Sequence, residues 1–159
     1  MVDPRNDRDN ITLSYPKVTL APNTHVYNED KEVGLKIAQM RNTTLDNFRL
    51  LAEDLLAFLE KEATKASEED PDAPMVTVLT QPMFATGETL LKKLDFLAKA
   101  GFDNVSVISI VAAPQGVDLL QMLHPNVQLF IAHLDDGLNW HGEIIPGLGE
   151  NGHRLFDAE

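Results

Sequence analysis

The sequence predicts an α/β domain: a parallel sheet with helices on both faces. Three observations carry that expectation. Residues 75–80, 105–112 and 127–133 are near-continuous apolar runs, the pattern of strands buried on both faces rather than on one. Helix-patterned segments, residues 88–100 and 115–123, separate them. Strands alternating with helices imply right-handed βαβ crossovers. The length of 159 residues favours one domain with a real core.

Taken in order, residues 1–30 read as an irregular arm, interrupted by Pro4, Pro16 and Pro22. Within it Ile11, Leu13 and Val18 suit either a short extended piece lying on a neighbour or a flexible tail. Residues 31–159 are expected to form the domain proper. Residues 44–63 give the clearest helix. Thr43 or Thr44 can cap it, and Leu45, Phe48, Leu51, Ala52, Leu55, Leu56 and Leu59 recur at three and four. Residues 66–74 read as an acidic connector in which Pro71 and Pro74 stop the preceding helix. Gly101 is placed to end the helix over 88–100. Beyond residue 134 the chain reads as a glycine-rich loop with a short strand near Ile144 and Ile145.

Charge and composition remove several function classes. Thirteen Lys and Arg against 25 Asp and Glu give a formal charge of −12, which repels phosphate backbones and anionic membranes. A nucleic-acid partner and membrane insertion are therefore not expected. No cysteine is present, so disulfides, thiolate metal sites and cysteine nucleophiles are excluded. No apolar run approaches the ~20 residues of a bilayer span. Asp3, Arg5, Asp7, Arg8 and Asp9 open the chain without a hydrophobic signal region. A cytoplasmic protein, or a processed organellar one, is the expectation.

Residues 79–89 lie between the first long strand and the next helix, where open parallel sheets bind ligands. A helix start offers unpaired N–H groups and a positive dipole end that suit phosphate. Thr86 and Thr89 add hydroxyls, and Gly87 lets the backbone approach closely. The same residues also suit an ordinary strand-to-helix turn capped by Thr86.

Gln-Pro-Met-Phe-Ala-Thr-Gly-Glu-Thr at 81–89 resembles the phosphoribosyl-binding loop of the uracil phosphoribosyltransferase family, Asp-Pro-Met-Leu-Ala-Thr-Gly-Gly-Ser/Thr. The resemblance continues in Val-Ala-Ala-Pro-Gln-Gly-Val at 111–117 and His-Pro-Asn-Val at 124–127. It is strongest in Leu-Asn-Trp-His-Gly-Glu-Ile-Ile-Pro-Gly-Leu-Gly at 138–149, and Arg154, Leu155 and Phe156 are similar to the family's close. Leu35, Met40, Arg41, Thr44, Phe48, Arg49, Leu51 and residues 62–64 match its opening helices more weakly. The resemblance implies a reduced type I phosphoribosyltransferase-like sheet. It also implies an ancestry in joining uracil to phosphoribosyl pyrophosphate to make UMP. Carried across, Ala85, Thr86, Gly87 and Thr89 face the phosphate, and Ile144, Gly149, Glu150 and Asn151 stand by the uracil.

The departures from the pattern are specific. About ten residues separate Thr64 from Met75, and none is arginine. The family carries there a long central stretch with its Arg-Ala-Gly pyrophosphate loop and a further arginine. A transfer that expels pyrophosphate needs cationic or N–H groups where that charge develops. Gln81 replaces the acidic residue expected near the ribose hydroxyls, and Glu88 replaces a glycine. A carboxylate ~4–5 Å from a phosphate near a surface costs a few kcal/mol. Glu150 and His153 replace aspartates near the uracil loop.

These departures predict a catalytically inactive relative acting as a binding, assembly or regulatory subunit, with no assigned catalytic residue. The alternative is a UMP- or ribose-phosphate-binding protein with residual transferase activity. No cofactor is expected, save Mg²⁺ if phosphoribosyl pyrophosphate binding is retained. Loss of sheet strands exposes edges that a homo-oligomer or a protein-complex partner would cover. Trp140, the only tryptophan, suits such an interface or simple packing. His133, Asp135, Asp136 and His141 cluster in sequence as a metal group would, but the resemblance explains their loop without metal and implies for His141 a hydrogen-bonded structural role beside the base loop. His25, His124 and His153 form no His-x-x-x-His pair.

Overall fold

The computed structural model describes residues 11–156. The N-terminal features read at Asp3, Pro4, Arg5, Asp7, Arg8 and Asp9 lie outside them. Its core is a parallel sheet built from β1 (Thr24–Val26), β5 (Gln128–Leu134), β4 (Val105–Ala112) and β2 (Thr77–Thr80), in that spatial order. Met83–Phe84, β3, also pairs with β4. β2 and β3 keep one register against β4, with Thr80 opposite Ile108 and Met83 opposite Val111. They are one strand interrupted where Pro82 has no N–H to give. Its carbonyl still accepts from Ile110 and Val111.

The faces alternate residue by residue, as strand geometry requires. Ile108, Ile110, Phe130 and Ala132 face one side, beneath α1 (Lys31–Met40) and α2 (Leu45–Glu69). Val105, Val107, Leu129 and Ile131 face the other, beneath α3 (Glu88–Lys99) and α4 (Pro114–Leu123). All eight residues of β4 are buried, whereas Val78 and Leu79 of β2 are half-buried because nothing pairs with their outer edge among the described residues. Two helix layers on a parallel sheet match the α/β reading.

Local chemistry sets the helix ends. Asp30 caps α1 by accepting from the Val33 N–H at 3.0 Å, and Val33, Ile37 and Met40 then fall on one buried face. Of the two capping threonines considered for α2, Thr44 accepts from the Asn47 N–H at 3.3 Å, while Thr43 accepts from the Asn47 side chain at 2.8 Å. Phe48, Leu55 and Leu59 are fully buried. Each is worth about 1.5–3 kcal/mol relative to exposure.

α2 runs to Glu69, so the connector expected from residue 66 begins later. Its alanine, glutamate and lysine residues favour helix, and Pro71 lies too far on to stop it sooner. Gly101 ends α3 in the left-handed region at φ 90°, as its position predicts. α1, β1, β6 (Gly137–Leu138) and α5 (Gly149–Leu155) are elements that periodicity did not announce, each being short or weakly patterned.

Residues 11–23 carry no regular secondary structure and lie along their own domain. The Leu13 N–H donates to the Leu138 carbonyl, Tyr15 donates to Asp118 at 2.7 Å, and Val18 packs on the α3–α4 face. The neighbour beneath this segment is therefore α4 and β6. Among the described residues, no helix is long and apolar enough to cross a membrane.

Candidate functional site

All strands of the main sheet point the same way, so their carboxyl ends share one rim. Four loops lie there: residues 27–30 after β1, residues 85–87 after β3, Ala113 after β4, and Asp135–Asp136 after β5. Beyond the last, β6 and β7 (Ile144–Ile145) form an antiparallel hairpin. Pro146, joined to Ile145 by a cis peptide bond, leads from it to α5.

The loop over 85–89 is shaped by backbone against backbone. Gly116, in the first turn of α4, lies so close that an added Cβ would stand 2.5 Å from the Ala85 carbonyl oxygen. Gly87 precedes α3 at φ 85° and packs over Gly116. That left-handed conformation is one that only glycine adopts at little cost. Ala85 and Gly87 are buried, Thr86 and Thr89 half-buried, and Glu88 exposed. Thr86 Oγ1 accepts from the Glu88 N–H at 3.5 Å, a weak cap. The Glu88 carboxylate stands in the first turn of α3, where a helix start favours negative charge.

Gln81 is buried and its side chain is occupied. Its Oε1 accepts from Lys93 Nζ at 2.9 Å, and its amide donates to the Met83 carbonyl at 3.2 Å. Lys93 thus ties α3 to the interrupted strand.

The opposite side of the rim is held by side chains. Asp135 is buried, and three groups converge on its carboxylate. Arg41 donates from Nη2 at 3.0 Å, the Gly147 N–H donates at 2.8 Å, and His133 Nδ1 lies within hydrogen-bond distance of the same Oδ1 as Arg41. Arg41 also donates from Nε to the Gly147 carbonyl at 2.9 Å. One aspartate thereby joins the end of α1, the end of β5 and the turn after β7. Asn139, also buried, accepts from the His141 and Glu143 N–H groups at 2.9 Å each and closes the hairpin tip. Trp140 stands on that tip, 75 % exposed.

The residues set beside uracil by resemblance divide between packing and surface. Ile144 is buried in the α1–α2 core, while Gly149 and Glu150 are exposed at the start of α5. Asn151 donates to the Thr43 carbonyl at 3.0 Å and ties α5 to the α1–α2 turn. Of the four residues weighed as a metal cluster, His133 and Asp135 meet, and Asp136 is exposed. Among the described residues, no three His, Asp or Glu side chains gather as metal ligands would.

The Asp135 hub was hidden from the sequence. Its partner Arg41 lies 94 residues away. The clustering of His133 and Asp135 at the end of an apolar strand was the available signal.

Two tyrosines have phenols raised above their ordinary value. Burial, then the nearby Glu62 and Asp30, push the Tyr27 phenol up to about 12. The hydrogen bond to Asp118 raises that of Tyr15. Tyr27 sits edge-on to Phe58, ring centres 5.1 Å apart, and its N–H donates to Ile131.

Comparison with known proteins agrees with this architecture. The chain is similar to the solved structure of the AQ2163 protein from Aquifex aeolicus, with a TM-score of 0.71 and 21% identity over 83% of this chain and 98% of that one. At that identity the likeness shows the fold. The family model for uracil phosphoribosyltransferase matches residues 66–158, more than half of the chain and the whole stretch from the end of α2 through the loop, the rim and α5. The chain belongs to the uracil phosphoribosyltransferase family.

Proposed function

We propose that this chain is a non-catalytic member of its family that acts as a binding, assembly or regulatory subunit. One observation carries the reading. α2 ends at Glu69 and β2 begins at Thr77, so the chain passes through residues 70–76 straight into an edge strand. The stretch that bears pyrophosphate-binding arginines in the family has no counterpart there. Arg41, the arginine bonded into the rim, gives its hydrogen bonds to Asp135 and Gly147. Departing pyrophosphate carries several negative charges, and stabilising them requires donors aimed at the place where they develop. Glu88 adds a negative charge beside the loop instead.

The test is direct. The purified chain is incubated with uracil, phosphoribosyl pyrophosphate and Mg²⁺, and UMP is followed by chromatography. No UMP above the enzyme-free control is expected, and turnover by the chain alone would overturn the proposal.

The shape of the 85–89 loop favours a second reading, a UMP or ribose-phosphate binder with residual activity. Gly87 keeps its left-handed turn and Gly116 keeps the close approach beneath it. Calorimetry with UMP separates the two. The first reading expects no heat for the natural chain at millimolar ligand and a measurable signal for Glu88→Gly, because the carboxylate is what opposes the phosphate. Equal binding by both chains favours the second.

A further inference from the structure

β2 leaves half of its backbone groups unclaimed on the outer side of the sheet. The Thr77 N–H donates to the Asn104 carbonyl and the Gln81 N–H to the Ile108 carbonyl, both towards β4. Backbone polar groups alternate from side to side along a strand, so those of Val78 and Thr80 point away from β4. No strand lies beyond them among the described residues. Natural edges are often blunted by a charge, a proline or a bulge in the strand itself, and Thr77–Thr80 holds none of these.

The α3 flank of this edge has its own chemistry. Leu79, Phe96 and Leu97 line an apolar groove of about 400 Å³, together with Lys92 and Lys93. Phe96 stands 71% exposed. Both lysines are exposed, and neither meets a carboxylate among the described residues. Lys93 gives its hydrogen bond to the neutral Gln81 side chain. In a chain of net charge −12 this is a local cationic patch beside an open strand. An anionic segment complements it and a cationic one is repelled.

Spacing turns the patch into a recognition pattern. Gln81 follows β2, so its bond to Lys93 sets the lysine at the carboxyl end of the strand. Phe96 and Leu97 stand three and four residues further along α3, about 4.5–6 Å down its axis. Side chains on one face of a strand repeat every two residues, about 6.6 Å. A strand added at β2 therefore sets one side chain near the lysines and its same-face neighbour in the groove.

We propose that β2 takes up, as an added strand, an extended segment of a partner protein carrying a carboxylate and an apolar residue two positions apart. Main-chain bonds to Val78 and Thr80 supply affinity, and the two side chains on the α3 face supply selection. This rests on the binding role proposed above and not on the absence of turnover.

Fluorescein-labelled octapeptides with blocked ends test it by anisotropy with the full chain. One carries valine and glutamate two positions apart in a threonine background. A second has lysine for the glutamate. A third is the first with N-methyl groups on two successive central residues, so that either register loses a donor. The first is expected to bind with a Kd below about 1 mM, at least about fivefold more tightly than the other two. Phe96→Asp is expected to weaken it about tenfold, with circular dichroism unchanged. Lys92→Glu is expected to abolish or reverse the preference for glutamate over lysine. The Val78 and Thr80 amides should exchange more slowly when the first peptide is present. No binding at about 1 mM, equal binding of the glutamate and lysine peptides, or a preference indifferent to Lys92→Glu would overturn the proposal. Edge amides already protected in the chain alone, and exposed on dilution, would place a second copy there and overturn it too. The UMP assay reads the other proposal separately. A chain that makes UMP and selects the glutamate peptide loses the non-catalytic reading and keeps this one, and an inactive chain that binds no peptide does the reverse.

Discussion

The two sides of the sheet are held by different means. On the β1–β5 side, side chains reach across the fold. Asp135 gathers Arg41, His133 and Gly147, Asn28 exchanges two hydrogen bonds with Leu134, and Asn23 donates to the carbonyls of Pro125 and Val127. On the β2–α3 side the side-chain ties are fewer, with Gln81 binding Lys93 and the Met83 carbonyl and Asn104 donating to the carbonyls of Pro74 and Met75, while the loop over 85–89 rests on the close approach of Gly116. Polar ties make a side independent of ligand or partner. The loop over 85–89 is instead shaped chiefly by backbone contact. In this chain the β1–β5 side carries more long-range side-chain ties, and the β2–α3 side is the less complete one.

Removing the hub tests that contrast most severely. Asp135→Ala leaves the Arg41 guanidinium and the Gly147 N–H without their shared acceptor. Breaking a buried charge pair costs about 3–5 kcal/mol. The lower end, about 3 kcal/mol, is expected because the Arg41 side chain is 29% exposed and can rehydrate. Thr86→Ala on the other side removes one 3.5 Å cap and should cost under about 1 kcal/mol. Urea unfolding of both variants measures the difference. Equal losses would dissolve the contrast.

The legibility of the sequence follows the same division. β4 was readable to the residue because six apolar residues among eight, broken only by Ser106 and Ser109, make a near-continuous β-rich run. α3 was readable from its stripe and from Gly101. The loop and the uracil segment were recognisable as motifs because they are contiguous. Gln81 was legible as a departure but not in its role, since its link to Lys93 depends on how α3 lies over the strand. Of the Asp135 hub, the nearness of His133 and Asp135 was legible as a sequence cluster, while Arg41 and Gly147 were not, because only tertiary structure brings them to it. Exposed sheet edges were expected from the missing stretch without being placed at β2, and the exposure of Phe96 came from the packing of α3.

Gly116→Ala probes the backbone contact on the incomplete side. The new Cβ would meet the Ala85 carbonyl oxygen at 2.5 Å and a Phe84 ring carbon at 2.9 Å. The oxygen belongs to backbone and cannot turn away, so the overpacking cost falls at the upper end of its range, about 3 kcal/mol. Alanine regains about 1 kcal/mol of helix propensity in α4. A net loss of about 2 kcal/mol is therefore expected in urea unfolding, with the 85–89 amides exchanging faster than those of β5. A neutral Gly116→Ala would mean that the loop yields easily and that its shape is not set by this contact.

The smallest effect at neutral pH belongs to Tyr27, and its sign separates the two sides by titration. The fold holds this phenol neutral, raising it from the ordinary value near 10 to about 12. A group raised in the folded state contributes stability that is fully present below its unfolded value. That contribution is lost as pH climbs through the folded value, so it fades between about pH 10 and about pH 12. Tyr15, bonded to Asp118 of α4, shifts in the same direction, while Tyr27 follows β1 and donates its N–H to Ile131 of β5. Tyr27→Phe keeps the edge-on contact with Phe58 and should change stability at pH 7 by less than about 1 kcal/mol. Over the alkaline window it should lose less stability than the natural chain, with the remainder traceable to Tyr15. Amide exchange at high pH supplies the spatial half of the test. Protection in the natural chain should fall first around β1 and the start of α1, while α3 and the 85–89 loop follow only with global unfolding. Earlier loss at the loop would place the alkali-sensitive contact on the opposite side of the sheet and overturn the assignment to Tyr27.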